Sequence, residues 1–300
     1  MEFEVTIQGI TDYMDLILNQ EKKLIKRPYK YEKMCFRGHS DKEYRLLPSL
    51  ARGRKFACDV SILNEERNMI EEAKFKLPHI FNNTLQPVNL LALLQHWGIP
   101  TRLMDITINP LVALYFAVSR NEDKDGEVLI FIRHDKEITQ YPIYNAVAET
   151  YKFAHTTIQY LSFFYDDMVL QPYFLEQKNT CDICYTSKEE KENWISDCCN
   201  RILYVNAGVY TERQHAQKGS YILFNNDIEE DEKGKYFVKV ISEIPKDKKH
   251  ICRRVFIPKE NKSEILSNLE TLGITKSNLF PENIDIICDE IKHNAMKRVN

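Results

Sequence analysis

The sequence predicts an α+β protein in which a helix-rich N-terminal half packs on a mixed, mostly antiparallel sheet. Segments with the apolar spacing of helices dominate the first half, whereas short β-branched segments typical of strands gather in the second half. No motif repeats at a fixed period, and the acidic stretch 225–235 has the composition of a hairpin loop rather than of a linker. We therefore expect a single domain over residues 1–300, with a helical insertion at about 142–200.

The helices of the first half are predicted from apolar residues at intervals of three and four positions. They are expected over residues 11–24, 63–81 and 90–97, and the second of these should be broken near Pro78. Thr11 and Asn89 are the expected caps of the first and third helix, because their side-chain oxygens can accept hydrogen bonds from free backbone N–H groups. Short extended segments are expected at residues 3–7 and 33–37, and the second of these ends at Gly38.

The clearest helix start in the chain is Asn109 followed by Pro110. Asn is a strong helix cap, and Pro already has the backbone angle of a first helical residue. Residues 111–118 carry no charge, so we expect this helix to be buried and to hold rigid the residues that precede it. The apolar, β-branched segment 126–133 that follows is typical of a central strand.

Aromatic residues are concentrated at 144–170, where we expect one or two helices whose aromatic stripe packs in the core. The remaining elements are assigned from composition and spacing. They are a charged helix at 189–200, strands at 220–224, 236–242 and 250–257, and closing helices at 262–272 and 283–296.

Charge and composition restrict the partners of the protein. The 41 basic and 44 acidic residues give a net charge of -3, so no global positive field attracts nucleic acid or an anionic membrane, and a polyanion requires a local site. The N-terminus lacks a basic region, and no stretch approaches the length of an apolar membrane-spanning helix. We expect a cytoplasmic protein without a membrane partner.

The eight cysteines leave two interpretations open. Cys181 and Cys184 form a CxxC pair, and adjacent Cys198 and Cys199 follow at a spacing compatible with zinc. However, adjacent cysteines rarely both turn toward one tetrahedral ion, and cytoplasmic thiols stay reduced. We expect no metal site, and the four thiols are then free or buried.

Three blocks of the chain resemble the signatures of one known family. They are Phe36-Arg37-Gly38-His39, residues 95–117 (QHWGIPTRLMDITINPLVALYFA) and residues 213–221 (RQHAQKGSY). In order and content they resemble the FRG domain, which takes its name from the Phe-Arg-Gly triplet, and residues 272–281 extend the likeness to the family's closing segment. Ile106 departs from the pattern, because the family usually has Trp there. The resemblance implies a bacterial or phage protein, with a role as a toxin or in anti-phage defence.

A weaker likeness is to the ADP-ribosyltransferase fold. In that fold an early strand supplies Arg or His to NAD, a middle strand runs through Ser or Thr residues into a helix, and a late strand or loop supplies the catalytic Glu. The order Arg37, residues 101–107 and residues 213–221 is similar. This likeness implies NAD as a substrate rather than a bound cofactor, with hydrolysis or with transfer of ADP-ribose to a protein or nucleic-acid acceptor.

The residues themselves indicate how a pyrophosphate would be held. A guanidinium fork and a helix N-terminus are the natural ligands of this group. Arg37, beside Gly38 where a ligand can approach the backbone closely, and the helix start at Asn109 are the first candidates. The predicted nucleotide-binding set is completed by Thr101, Arg102 and Thr107. Arg102 either assists there or pairs with Asp105.

Cleavage of a nicotinamide glycosidic bond also requires a carboxylate near the developing positive charge. The third block has Gln217 where a transferase would have Glu, and Gln cannot ionise. Asp105 is the expected substitute, with Glu212 as the other carboxylate, and His96 or His215 is the expected acid or base. The structural alternative for His96 is hydrogen bonding to carbonyls at a helix end, and for Gln217 an amide bridge between loops.

Three functions stay open from the sequence. An enzyme acting on NAD requires Arg37, Asp105 and Gln217 to meet at one concave pocket. A noncatalytic module would bind a nucleotide or a nucleic-acid end through the same residues and release no product. A scaffold would instead enclose Arg37 against Asp105, with no cleft beside them. The chain contains no Rossmann, P-loop, zincin or nucleophile-elbow motif, so those chemistries have no support.

Overall fold

A computed structural model describes residues 2–26, 32–52, 62–134, 142–152, 159–176, 183–208 and 211–281 of the chain. Over these residues the protein is α+β, as the sequence predicts, with a mixed seven-stranded sheet, a three-stranded antiparallel sheet and eleven α-helices. None of the helices in these ranges combines the length and the apolar character that crossing a bilayer requires.

The strands follow the chain in this order. They are β1 (Glu4–Thr6), β2 (Glu32–His39), β3 (Leu103–Thr107), β4 (Gly126–His134), β5 (Gln159–Tyr160), β6 (Leu203–Val205), β7 (Gly219–Leu223), β8 (Ile228–Asp231), β9 (Gly234–Phe237) and β10 (Arg253–Ile257). The larger sheet has the order β1-β10-β4-β2-β3-β7-β6, and the smaller one has the order β5-β9-β8. Strand β1 pairs parallel with β10, whereas the other neighbours in the larger sheet are antiparallel.

The helices flank these strands. They are α1 (Ile10–Ile25), α2 (Glu66–Lys76), α3 (Pro87–His96), α4 (Pro110–Val118), α5 (Pro142–Ala148), α6 (Leu161–Val169), α7 (Pro172–Leu175), α8 (Lys188–Cys199), α9 (Glu212–Ala216), α10 (Lys262–Thr271) and α11 (Lys276–Leu279). Short 3₁₀ turns lie at Ser49–Ala51, Ile62–Glu65, Thr150–Lys152 and Lys259–Asn261. The predicted helix at 283–296 lies outside the described residues.

Two of the predicted helix caps are wrong. Helix α1 begins after Gly9, and Thr11 lies inside the helix, where Asp12 accepts a hydrogen bond from the backbone of Gln8 instead. Helix α3 begins at Pro87, three residues before the predicted start, because Pro is favoured as a first helical residue. Asn89 therefore lies in the first turn, and its side-chain oxygen accepts from the backbone N–H of a distant loop residue rather than capping the helix.

The expectations for the middle of the chain are largely confirmed. The described residues of 144–170 include most of α5 and all of α6, and most of the described aromatic side chains there lie in the core, whereas Phe163 is exposed. The two-residue strand β5 was not predicted. The acidic stretch 225–235 forms part of the β8–β9 hairpin, as its composition indicated. Helix α2 ends at Lys76, where Leu77 leaves the helical region, so the predicted break near Pro78 is confirmed.

Helix α4 begins where the sequence predicts. The Asn109 side chain accepts a hydrogen bond from the backbone N–H of Leu111 at 3.0 Å, and Pro110 is the first helical residue. The helix packs on β2 and β4 at very short range. A Cβ at Gly38 would lie 1.9 Å from the Ala113 carbonyl oxygen. Gly126, the first residue of β4, faces the next turn of the same helix, and a Cβ there would lie 2.4 Å from the Ala117 carbonyl oxygen.

Side chains of β2 project alternately toward α4 and toward the opposite face of the sheet. Phe36 packs in the same cluster as the α4 residues, whereas Cys35 packs in the cluster on the other face of the sheet. Because side chains alternate along a strand, Arg37 and His39 project to the face of Cys35. They are two residues apart and therefore adjacent on that face.

We predict that Gly38→Ala destabilises the protein strongly, by about 3 kcal/mol or more, because the added methyl group overlaps a helix backbone that cannot move aside. Gly219→Ala is the matched control, since its added Cβ would make an ordinary contact of 3.5 Å, and we expect a change within about 0.5 kcal/mol. Urea unfolding of both variants measures the difference. Equal stability of the two variants would contradict the close packing of α4.

Candidate functional site

A cavity of about 740 Å³ lies where β2 and β3 separate. In the described residues these two strands pair at Phe36 and Thr107 alone, and beyond this point both contribute side chains to the cavity. Leu47 lines it from one face of the sheet, and Ala113 and Phe116 of α4 line it from the other. The volume is that of a typical small-molecule site.

The lining of the cavity is strongly cationic. Among the described residues it contains five arginines, namely Arg37, Arg45, Arg52, Arg120 and Arg213. The carboxylates of the described lining are those of Asp105 and Glu43. Arg45 is also ion-paired with Glu243, and Arg213 stacks on the Phe280 ring at 4.9 Å. The remaining excess of positive charge favours an anionic ligand in a protein whose net charge is slightly negative.

Arg37 has hydrogen-bonding capacity that the described residues do not use. Its Nη1 donates to the backbone oxygen of Asp105 at 2.7 Å, whereas its Nε is buried and has no hydrogen-bond partner among the described residues. Burial lowers the pKa of Arg37 and Asp105 raises it, but an arginine stays charged at neutral pH. A buried N–H donor of a cation, next to a cavity, is well suited to bind an anion.

Asp105 presents its carboxylate to solvent at the cavity. The side chain is 61% exposed, and its nearest contact to Arg37 is a loose one of 3.9 Å between Oδ2 and Nη1. Gln95 Nε2 donates to Asp105 Oδ1 at 2.9 Å, and Thr101 donates in turn to Gln95 Oε1 at 2.7 Å. The enclosed Arg37–Asp105 pair that a scaffold would require is therefore not formed, and Asp105 is oriented without being buried.

Thr101 and Asn109 do not occupy the positions that the sequence predicts for ligand contacts. Thr101 is buried and outside the cavity lining, where it orients Gln95. Asn109 caps α4, but neither it nor Pro110 is among the lining residues. The side of α4 lines the cavity rather than its first residue, and the predicted pyrophosphate site at this helix start stays a prediction.

Arg102 is also wrong as a ligand of the cavity and as a partner of Asp105. Its side chain is fully buried and forms two hydrogen bonds with Glu66, from Nε to Oε1 at 2.8 Å and from Nη2 to Oε2. Its Nη1 donates to the Phe224 carbonyl and to Asn226. A buried guanidinium requires this complete set of partners, so Arg102 stabilises the interior instead of binding a ligand.

Thr107 and Gln217 join the second and third sequence blocks at the cavity. Thr107 Oγ1 donates to the Gln217 backbone oxygen at 2.7 Å and accepts from the backbone N–H of Asn109 at 3.0 Å. The Gln217 amide donates to the Leu279 carbonyl at 3.1 Å, which is the loop-bridging role left open by the sequence. Both residues line the cavity, and their direct roles toward a ligand stay predictions.

The other predicted residues are placed as follows. His96 ends α3, lines the cavity and packs edge-on against Trp97 at 5.1 Å, and its role as an acid or base stays a prediction. Glu212 and His215 are exposed and are not among the lining residues. Gly38 does line the cavity, but the packing of α4 already accounts for the absence of its side chain. The structure thus brings Arg37, Asp105 and Gln217 to one cavity.

His39 is a lining residue whose environment the sequence did not indicate. It is 3% exposed, and its Nδ1 lies 3.0 Å from Oε1 of the fully buried Glu127 on β4. Its Nε2 is buried and has no hydrogen-bond partner among the described residues. Burial, helped by the positive charges of Arg37 and Lys246, lowers the pKa of His39 to about 4 despite the opposing effect of Glu127.

Tyr221 is a further lining residue that sequence reasoning did not select. It lies opposite Asp105 in the β3–β7 register. Burial raises the pKa of Tyr221, and the charge of Asp105 raises it further, so its hydroxyl stays protonated. Strand pairing is the signal that relates the two residues, and the period-two pattern of β7 alone does not reveal it.

No metal centre is found in the part of the chain that the structure describes, where no three His, Cys, Asp or Glu side chains form a suitable group. Cys181 lies outside the described residues. Cys184 is exposed, whereas Cys199 is buried. Because Cys181 lies outside these residues, the absence of zinc from the four-cysteine pattern stays an expectation, with zinc binding as the alternative.

The fold defines an α+β domain with a cationic cavity built around the Phe36-Arg37-Gly38-His39 strand. Residues 32–126 match the model of the FRG domain, so the chain contains an FRG domain, as the resemblance predicted. The match includes the first two sequence blocks, whereas residues 213–221 lie outside it. No curated protein and no solved structure matches the chain.

The low pKa of His39 predicts a pH-dependent loss of stability. The unfolded chain binds this proton near the ordinary pKa of 6.5 and the folded protein only near 4, so the stability contribution is complete above pH 6.5 and is lost as the pH falls toward 4. We expect His39→Gln to reduce the slope of unfolding free energy against pH in this window by up to about 1.4 kcal/mol per pH unit.

Denaturant unfolding of the wild type and the variant at half-unit steps of pH measures these slopes. His215→Gln removes an exposed histidine and is the matched control, so it should keep the wild-type slope. An unchanged slope in His39→Gln would show that His39 does not resist protonation in the folded protein.

Proposed function

We propose that this protein binds NAD or a related dinucleotide in the cavity and acts on its glycosidic bond, by transfer of ADP-ribose or by hydrolysis. The observation that carries the proposal is the Nε atom of Arg37, which is buried in a cationic lining and has no hydrogen-bond partner among the described residues. The Nη1 atom of the same guanidinium lies 3.9 Å from the exposed carboxylate of Asp105. The Arg37 guanidinium suits a phosphate group, and the Asp105 carboxylate suits the positive charge that develops on the ribose.

The phosphate side of the proposal is supported by Arg37 and Arg52. Both line the main cavity and a smaller adjoining cavity of about 210 Å³, which they share with Asp105. A pair of guanidinium groups recognises phosphate oxygens through charge-assisted hydrogen bonds. Two spaces lined by the same arginine suit a ligand that carries bulky groups on both sides of a pyrophosphate.

The ring-binding side is supported by aromatic residues of the lining. Phe116 and Phe280 meet edge to face with ring centroids 6.3 Å apart, and Tyr44 and Tyr221 complete the aromatic surface. Flat heteroaromatic rings pack favourably on such surfaces. A lining that combines guanidinium groups with aromatic rings matches the chemistry of a nucleotide better than that of an inorganic anion.

In the proposed reaction the bond between the ribose C1′ and the nicotinamide nitrogen breaks, and its electron pair leaves with nicotinamide. The positive charge of the pyridinium passes to the ribose, where the Asp105 carboxylate stabilises it. Water or an acceptor group then forms a new bond to C1′ and releases its proton to solvent. Gln95 and Thr101 keep the carboxylate oriented for this role.

A noncatalytic nucleotide-binding module is the second candidate. It is favoured by Gln217, since the third sequence block provides an amide that bridges to Leu279 and cannot ionise. Such a module would use the same guanidinium groups and bind a nucleotide or a nucleic-acid end without releasing product. A role as a toxin or in anti-phage defence fits either candidate and rests on the family resemblance.

The purified protein, incubated with NAD and cell lysate, is expected to release nicotinamide and to yield ADP-ribose or ADP-ribosylated species in mass spectrometry. Arg37→Ala and Asp105→Asn should each reduce nicotinamide release by about 100-fold or more. The control variants Arg67→Ala and Asp15→Asn change exposed side chains away from the cavity and should keep the wild-type rate.

Two outcomes decide against the enzyme. Unchanged release in Arg37→Ala or Asp105→Asn would exclude the assigned roles. Saturable binding of NAD by the wild type without any nicotinamide release would instead identify the noncatalytic module. Because Asp105 is exposed, the melting temperature of Asp105→Asn should match that of the wild type, which separates loss of function from loss of fold.

A further inference from the structure

One buried polar atom of the cavity lining, the Nε2 atom of His39, has no role in the binding by arginines described above. His39 lies two residues after Arg37 on the same face of β2 and lines the same cavity. The ring is buried, and Nε2 has no hydrogen-bond partner among the described residues. A buried polar atom without a hydrogen-bond partner costs folding free energy unless a ligand or an ordered water forms that bond.

Glu127 determines which nitrogen of the ring carries the hydrogen. It lies opposite His39 in the β2–β4 register and is fully buried. Besides the contact to His39, it pairs with Lys246 and accepts from Arg254 Nη2 at 3.0 Å. Burial raises the pKa of Glu127, but the hydrogen bonds and charges of His39 and Lys246 outweigh it and lower the pKa, so the carboxylate is ionised and can only accept. His39 Nδ1 is therefore the protonated nitrogen.

The second nitrogen is consequently a hydrogen-bond acceptor. A neutral imidazole with its hydrogen on Nδ1 carries a lone pair on Nε2. Burial together with the nearby positive charges keeps the pKa of His39 low, so the ring stays neutral near pH 7. The guanidinium groups of the lining can only donate, which makes His39 complementary to them.

On the basis of the proposed function, we propose that His39 Nε2 accepts a hydrogen bond from a hydroxyl group of the ligand. The cavity would then select phosphate compounds that carry a sugar, such as nucleotides, over phosphate or pyrophosphate alone. Glu127 is the positioning residue that fixes the tautomer. A site built to bond a hydroxyl rejects ligands that lack one, because its buried acceptor is then left unpaired.

Calorimetric titration with two probes tests this selection. ADP-ribose carries both a pyrophosphate and ribose hydroxyls, whereas inorganic pyrophosphate at neutral pH offers the charge without a sugar. We expect His39→Phe to weaken ADP-ribose binding between about 10-fold and 100-fold and to leave pyrophosphate binding within about twofold. His39→Gln, whose amide oxygen can replace the lone pair, should recover part of the loss. Arg37→Ala should weaken both probes.

Equal weakening of both probes by His39→Phe would overturn the inference, because His39 would then only shape the cavity. Unchanged ADP-ribose binding in that variant, or no binding of ADP-ribose to the wild type, would overturn it as well. The inference and the proposed reaction can fail separately. If His39→Phe selectively weakens ADP-ribose binding but the wild type releases no nicotinamide from NAD, the hydroxyl site is supported and the proposed reaction is excluded.

A second measurement on the wild-type protein does not depend on how the variants fold. Nitrogen-15 NMR of the histidine rings distinguishes the two neutral tautomers, and His39→Gln identifies the signals of His39 by their loss. We expect a protonated Nδ1 and an unprotonated Nε2 at pH 7. A hydrogen on Nε2 at that pH, in either the neutral or the charged ring, would contradict the proposed acceptor.

Discussion

Helix α4 lies against the central strands at a distance that only glycine permits at two positions of the sheet. At Gly38 an added Cβ would lie 1.9 Å from the carbonyl oxygen of Ala113, and at Gly126 it would lie 2.4 Å from that of Ala117. The helix is apolar throughout and is capped at Asn109, so its position is fixed at both its start and its contact face. Because Ala113 and Phe116 also line the cavity, this packing fixes one of its walls.

The cavity exists because β2 and β3 separate beside the wall that α4 forms. The strands pair at one position and then separate, and the guanidinium of Arg37 donates to the backbone of Asp105 across the gap. The same separation leaves the Arg37 Nε and the His39 Nε2 without partners among the described residues and leaves the Asp105 carboxylate exposed. Donors, an acceptor and a carboxylate thus surround one space, which is the combination that a nucleotide with phosphates and sugar hydroxyls would use.

The sequence predicts the local features of this arrangement and misses the features that depend on distant partners. The start of α4 is set by Asn109 and its two neighbours, so it was predictable, whereas the N–H that Asn89 accepts belongs to a loop more than a hundred residues away. Arg102 was misassigned because its partner Glu66 lies on a separate helix. The pairing of His39 with Glu127 required the β2–β4 register, which no spacing in the sequence reveals.

A crystal structure of the protein with ADP-ribose would show whether the cavity between β2 and β3 binds a nucleotide through Arg37 and His39. We predict density for ADP-ribose in this cavity, with pyrophosphate oxygens within hydrogen-bond distance of Arg37 and a ribose hydroxyl hydrogen-bonded to His39 Nε2. Crystals soaked at saturating concentration that show the ligand bound elsewhere on the surface, or an Arg37 guanidinium whose contacts remain entirely within the protein, would contradict it.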